Sequence, residues 1–119
     1  MYYIGIDLGT SAVKLLLVDE DGGIVNTVTR EYPLEFPKPG WSQQNPEDWR
    51  KAVLEGIPQL LRGFDAGKVA GIGCGGQMHG LVVLDEDDRV IRPAILWNDG
   101  RTAAQVEYLN GTVGKQTLA

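Results

Sequence analysis

The sequence predicts an α/β fold: a three-stranded antiparallel meander followed by alternating helices and strands. Three observations carry this expectation. Three short apolar runs fill the first 32 residues with only tight-turn residues between them. A helical apolar pattern with strong start signals follows Asn45. Beyond it lie further short apolar runs, Val69 to Cys74 and Ala94 to Trp97, set off by glycines and acidic turns.

Tyr2 to Leu8 is the first predicted strand, and Gly9-Thr10-Ser11 is the break on which the chain turns. Val13 to Asp19 is the second, closed by the turn residues Glu20-Asp21-Gly22-Gly23. Ile24 to Tyr32 alternates apolar and polar residues, as a strand with one wet face does. A helix should follow the first strand in a Rossmann unit, so the meander argues against a dinucleotide-binding start. Pro33, Pro37, Pro39 and Gly40 predict an irregular surface loop up to Gln44. Asn45 can then cap a helix with Pro46 at its first position and Glu47 and Asp48 at its positive end. Trp49, Val53, Ile57, Leu60, Leu61 and Phe64 give that helix one apolar face, and Pro58 should kink or split it.

Val69 to Cys74 reads as a short buried strand, with Cys74 a small buried hydrophobe. Leu81 to Leu84 and Val90 to Ile91 flank the acidic turn Asp85 to Asp88, and Ala94 to Trp97 is strand-like. Arg101 to Asn110 reads as a helix capped by Asn98 or Asp99, with Arg101 in an ion pair.

The 119 residues amount to one domain or part of one, and 43% hydrophobic content excludes a disordered tail. A formal net charge of −5 disfavours nucleic acid and anionic membranes as partners. One cysteine forbids an internal disulfide and fits a reducing compartment. The start, Met1-Tyr2-Tyr3, lacks a basic region and Asp7 interrupts the first apolar run, so neither a signal peptide nor a membrane span is expected. These features predict a soluble, cytoplasmic protein.

Two segments carry chemistry. In Asp7-Leu8-Gly9-Thr10-Ser11-Ala12-Val13-Lys14, a strand ends in an acid and enters a small polar turn. Such a turn lets backbone N–H groups and hydroxyls approach a phosphate, while Asp7 could hold Mg²⁺ or its water. A plain β-hairpin turn explains the same residues without a ligand. The segment lacks the Gly-Lys-Ser/Thr pairing of a Walker A loop. In Gly75-Gly76-Gln77-Met78-His79-Gly80, glycines expose an amide, a thioether and an imidazole, which suit the hydroxyls and apolar faces of a sugar. The bland account is a turn whose His is satisfied by nearby backbone. A metal role for His79 and Cys74 fails for want of further ligands.

Strand, strand, strand, helix, strand, helix is the opening order of the ribonuclease H-like fold shared by actin, heat-shock ATPases and sugar kinases. IGIDLGTSAVKLLLVDEDG resembles the N-terminal phosphate motif of the FGGY carbohydrate kinases and, more loosely, that of the other actin-like ATPases. Gly76-Gln77-Met78-His79-Gly80, followed by Arg92 to Arg101 (RPAILWNDGR), resembles the xylulokinase branch of that family rather than its glycerol kinases. Trp41 to Trp49 is similar to the family's Trp-Ser-x-Gln-x-Pro-Glu segment, whose role is architectural.

The resemblance implies an actin-like ATPase fold of which residues 1–119 form an incomplete first lobe, without the second. It implies ATP and Mg²⁺ as cofactors. Asp7 would lie near the metal, through water, and the γ-phosphate, while Gly9, Thr10, Ser11 and Lys14 would meet the nucleotide phosphates. Met78 and His79, with Gln77 beside them, would form part of the sugar pocket. The expected activity of the parent enzyme is phosphorylation of D-xylulose to D-xylulose 5-phosphate. Its catalytic base is an Asp further along the chain, so Asp7 is not the base and this stretch alone should be inactive. Another FGGY sugar or polyol kinase, or a non-catalytic actin-like nucleotide-binding domain, is the alternative. The expected partner is a small sugar, and a homodimer is compatible with the sequence.

Overall fold

The computed structural model describes residues 1–119. Strands β1 (Tyr2–Leu8), β2 (Ala12–Asp19) and β3 (Ile24–Glu31) form the expected antiparallel meander. After β4 (Gln43–Gln44) and α1 (Pro46–Leu60), the chain crosses to the other side of the sheet. There β5 (Val69–Gly76) pairs in parallel with β1, giving the order β3-β2-β1-β5. A second, two-stranded sheet joins β4 to β6 (Ala94–Ile95).

Alternation on β2 sends Val13, Leu15 and Leu17 into the core, each with 0% exposure, while Lys14 stands on the opposite face. α1 covers that apolar side over β2 and β3. Asn45 caps the helix by accepting from the Glu47 N–H, which is worth about 1 kcal/mol. Asn26 on β3 donates to the Leu60 carbonyl at the other end, at 2.7 Å. The helix does not break at Pro58. It lies in the last turn, where the Leu54 carbonyl that loses its partner belongs to an exposed residue.

Gly56 sits where α1 crosses β2, and a Cβ there would run into the Leu15 Cδ1 methyl and press on the Arg30 side chain.

Several local expectations are corrected. The Pro33–Gln44 stretch is not wholly irregular: Glu35 and Gln43 exchange both backbone hydrogen bonds, and Gly40 turns the loop at φ +77°. β5 is longer than expected and largely exposed, because it is the sheet's edge and α1 does not reach over it. Cys74 is accordingly exposed, not buried. The Leu81–Leu84 and Val90–Ile91 runs that flank the acidic turn make only isolated bridges, Leu84 with Val90 and Leu81 with Ile95. The final helix is interrupted: α2 (Ala103–Tyr108) widens into π-type turns over Leu109–Gly114 before α3 (Lys115–Leu118). Its cap position is Thr102, without a side-chain bond. This segment projects from the sheet and gives a radius of gyration of 18.6 Å, against about 13 Å for a compact domain of this size.

Asp99 does not cap the helix; it is the centre of a clamp. Arg101 donates from Nε to both Asp99 oxygens at 2.9 Å and from Nη2 to Asp99 Oδ2 at 2.7 Å. The Ser42 N–H donates to Asp99 Oδ2 at 2.6 Å, and Arg101 Nη2 also reaches Gln43 Oε1 at 3.2 Å. The guanidinium carbon lies 3.9 Å from the centre of the Trp41 ring. With the Leu96-to-Ser42 and Gly100-to-Gly40 backbone bonds, these contacts fasten residues 94–101 to residues 40–44. Both side chains of the pair are almost wholly buried, at 1% and 8% exposure, and Arg101 Nη1 has no acceptor. The Arg101 hydrogen bonds hold the Asp99 carboxyl well below the usual carboxylate range; burial opposes this, and the Ser42 and Arg101 N–H groups reinforce it.

Two predictions follow from this packing. Gly56→Ala should gain about 0.5–1 kcal/mol of helix preference yet lose about 1–3 kcal/mol to overpacking against Leu15. Urea denaturation should therefore show net destabilisation. The depressed Asp99 carboxyl contributes stability that is intact above the ordinary carboxylate pKa, near 4, and is lost as pH falls below it. Asp99→Asn should lower thermal stability at neutral pH and flatten its decline between about pH 4 and pH 2 relative to the unmodified protein.

Candidate functional site

β1 ends at Leu8, and the chain turns through Gly9-Thr10-Ser11 into β2. The Gly9 N–H donates to the Ala12 carbonyl at 3.0 Å, and a Cβ on Gly9 would approach that oxygen to 2.9 Å, so the tightness of the turn requires glycine. Tyr32, at the end of the meander, holds the turn from below: its hydroxyl donates to the Gly9 carbonyl and its N–H to the Ser11 carbonyl at 3.1 Å. Burial, with a smaller contribution from the Asp7 charge, pushes the Tyr32 hydroxyl up to about 12. Asp7 and Lys14 are register partners across β1 and β2, so both side chains stand on the sheet face away from α1. Lys14 is therefore solvent-exposed beside Asp7.

β5 runs parallel to β1 and its end meets the same turn. The Gln77 N–H donates to the Leu8 carbonyl at 3.0 Å, and the Thr10 hydroxyl donates to Gln77 Oε1 at 3.1 Å. The two segments singled out in the sequence thus lie side by side, joined by these bonds. Gln77, Met78 and His79 line a pocket of about 270 Å³ with Trp97 as the fourth wall. Met78 is 72% exposed and Trp97 58%, so their apolar surfaces are open to a ligand. His79 has φ 57°, the left-handed region that non-glycine residues seldom enter, and it lies between Met78 and Gly80 at the pocket rim.

Sequence reasoning missed three participants. Gln44 was placed in an architectural segment, yet it is 1% exposed directly beneath the turn. Its Nε2 donates to the Thr10 carbonyl at 2.5 Å and the Pro33 carbonyl at 3.4 Å. Its Oε1 accepts from Trp49 Nε1 at 3.0 Å and Gln77 Nε2 at 3.3 Å. Trp97 read as the end of a strand-like run, but its Nε1 donates to the Thr10 hydroxyl at 3.4 Å and its ring borders the pocket. Tyr32 read only as a strand residue. Local signals do not mark these roles, because the turn residues they hold lie far along the chain: 23 residues from Tyr32 to Gly9, 34 from Gln44 to Thr10 and 87 from Trp97 to Thr10.

No group of three His, Cys, Asp or Glu side chains is placed to hold a metal. Asp7 offers one carboxylate at the turn, a donor set that suits Mg²⁺, which keeps most of its waters and takes its other ligands from phosphate. No helix is long and apolar enough to cross a membrane.

The N-terminal domain model of the FGGY family of carbohydrate kinases matches residues 2–119. The chain belongs to that family. The xylulose kinase of Bacillus subtilis (strain 168) is 50% identical over 119 residues, covering 98% of this chain and 24% of the relative. The crystal structure of a xyloylose kinase from Brucella ovis superposes with a TM-score of 0.88 at 43% identity, over 95% of this chain and 24% of that one. A gluconokinase of Bacillus subtilis (strain 168) is 32% identical over 114 residues, 92% of this chain and 22% of the relative. The chain thus spans about a quarter of the length of these FGGY kinases. The actin-like ATPase fold expected from the strand order is the fold of these structural neighbours.

The Tyr32 support of the turn predicts a separate titration. Of the four tyrosines, one should ionise near pH 12, and its tyrosinate absorbance should vanish in Tyr32→Phe. Because the folded state holds this proton more tightly, its contribution is intact below about pH 10 and is lost as pH rises through the folded value. Loss of the Gly9 hydrogen bond in Tyr32→Phe should cost about 1 kcal/mol.

Proposed function

We propose that this chain is the N-terminal part of an ATP-dependent xylulose kinase, which transfers the γ-phosphoryl group to a hydroxyl of D-xylulose and yields D-xylulose 5-phosphate. The observation that carries the reading is the Thr10–Gln77 hydrogen bond. A kinase needs a phosphate-facing turn beside a pocket for the acceptor hydroxyl, and this bond ties such a turn to such a pocket. The xylulose kinase relatives support the choice of sugar.

The residues divide the work by their chemistry. The Gly9 to Ser11 turn, with the exposed Ser11 hydroxyl and Lys14 nearby, faces the phosphates of ATP. Mg²⁺ held at Asp7 through water would neutralise charge that builds on the phosphoryl oxygens. Asp7 is no base in this reading, because it stands on the face beside Lys14 and is reserved for the metal and phosphate. The general base comes from outside these 119 residues. Met78 and the Trp97 ring give the sugar's carbon skeleton apolar walls, and His79 offers a donor and an acceptor to its hydroxyls.

A gluconokinase is the second reading, favoured by the Bacillus subtilis relative. The pocket lining of Gln77, Met78, His79 and Trp97 contains no Lys or Arg to meet a gluconate carboxylate, which favours a neutral sugar. A nucleotide-binding domain without catalysis would give the Met78–His79 pair no work.

An ADP-release assay on the whole protein with D-xylulose, L-ribulose, glycerol and D-gluconate tests the assignment. D-Xylulose should give the highest kcat/KM; preference for gluconate or glycerol would reject the sugar, and no turnover with any would reject the kinase. His79→Ala should raise the D-xylulose KM while ATP binding persists. The 119-residue chain alone should give no turnover, for want of the base and of a second lobe to exclude water.

A further inference from the structure

The hydrogen-bond partners of Gln44 leave its carboxamide one orientation. The Thr10 and Pro33 carbonyls can only accept, so Nε2 must face them. The Trp49 indole N–H can only donate, so Oε1 must face it. Gln77, which shares that Oε1, must then present its Nε2 to Gln44 and turn its own Oε1 toward Thr10. The Thr10 hydroxyl in turn must give its proton to Gln77, and its lone pairs accept from Trp97 Nε1. Gln44, itself oriented by the two carbonyls and the Trp49 N–H, thereby sets the orientation of the Gln77 amide and, through it, of the Thr10 hydroxyl.

We propose that Gln44 is a positioning residue for the sugar pocket: it locks the Gln77 carboxamide so that Gln77 offers the ligand one N–H donor. The Gln77 oxygen is turned toward Thr10, whereas its second amide hydrogen has no protein partner and Gln77 lines the pocket. The ligand atom that this N–H reads is therefore a hydroxyl or carbonyl oxygen acting as acceptor. The same lock removes the Thr10 hydroxyl proton from use on a phosphate, leaving that task to backbone N–H groups and Ser11. The ligand named here rests on the xylulose kinase reading; the orientation of the two amides does not.

Gln44→Leu, which removes both anchors at similar volume, should raise the D-xylulose KM about tenfold, the worth of one hydrogen bond, with the ATP KM little changed. Gln44→Glu keeps an acceptor oxygen toward Gln77 and Trp49, and should recover most of that loss even where its thermal stability is lower. A role confined to supporting the Thr10 and Pro33 carbonyls predicts the reverse, since a carboxylate facing two carbonyls is worse than leucine there. In a Gln77→Leu background, Gln44→Leu should add almost nothing to KM; multiplicative effects would overturn the proposal. A measurement on the unmodified protein covers the case in which Gln44→Leu fails to fold. Side-chain amide NMR should show one Gln77 N–H protected from solvent exchange without ligand, and the other protected only on adding D-xylulose. Two freely exchanging Gln77 hydrogens in the unliganded protein would refute the lock. Protection of one hydrogen without any response to D-xylulose would keep the lock and reject the sugar.

Discussion

The arrangement around the β1–β2 turn depends on one buried amide. Gln44 occupies the junction of the β1–β2 turn, the start of α1 and the end of β5, and both ends of its carboxamide are fully engaged. A buried polar side chain is tolerated only when its partners are present and correctly oriented, because an unmet donor or acceptor costs about 1–3 kcal/mol. That constraint runs outward. The turn must offer the Thr10 carbonyl, the helix must present Trp49 toward the sheet, and Gln77 must arrive at the end of its strand in register with Leu8. The clamp of Asp99, Arg101 and Ser42 holds the segment carrying Gln44 from its other side, so the polar network rests on a second buried polar anchor.

The apolar core serves the same arrangement from beneath. Val13, Leu15 and Leu17 fix the face of β2 that meets α1, and the close crossing at Gly56 draws the helix onto the sheet. Lys14 and Asp7 must then point to the opposite face, because a strand offers alternate residues to alternate sides. Which residues meet the phosphate side is thus a consequence of which residues are buried. The coverage is uneven. α1 lies over β2 and β3, while Ile6, Leu8, Trp49, Val53 and Cys74 border an open apolar groove of about 430 Å³ toward β5.

The pocket combines rigid and strained parts. Gln77 is tied at its backbone to Leu8 and at its side chain to Thr10 and Gln44, so it cannot adapt to a ligand. Met78 and Trp97 are exposed apolar surfaces with few protein contacts. His79 is held in a left-handed backbone conformation. A pocket so built binds by a few oriented polar groups against apolar walls, as small-molecule sites generally do.

The local chemistry of the sequence was enough for the meander, the capped helix and the two glycine-flanked segments. Strand alternation, the Asn45-Pro46 start and the turn glycines act within a few residues, so they are legible one segment at a time. The resemblance carried by residues 4–22 and 76–101 identified the family on the same local basis. What only the tertiary structure decided was the company those segments keep. It moved the helix cap from Asn98 or Asp99 to Thr102, tied the expected Arg101 ion pair to Ser42 and Gln43, and exposed Cys74 by leaving β5 at an edge. It made Gln44 the partner of Thr10 and Gln77 across 34 and 33 residues. Hydrogen-bond complementarity and edge position are properties of pairs brought together by folding, and no single residue's identity or neighbours encode them.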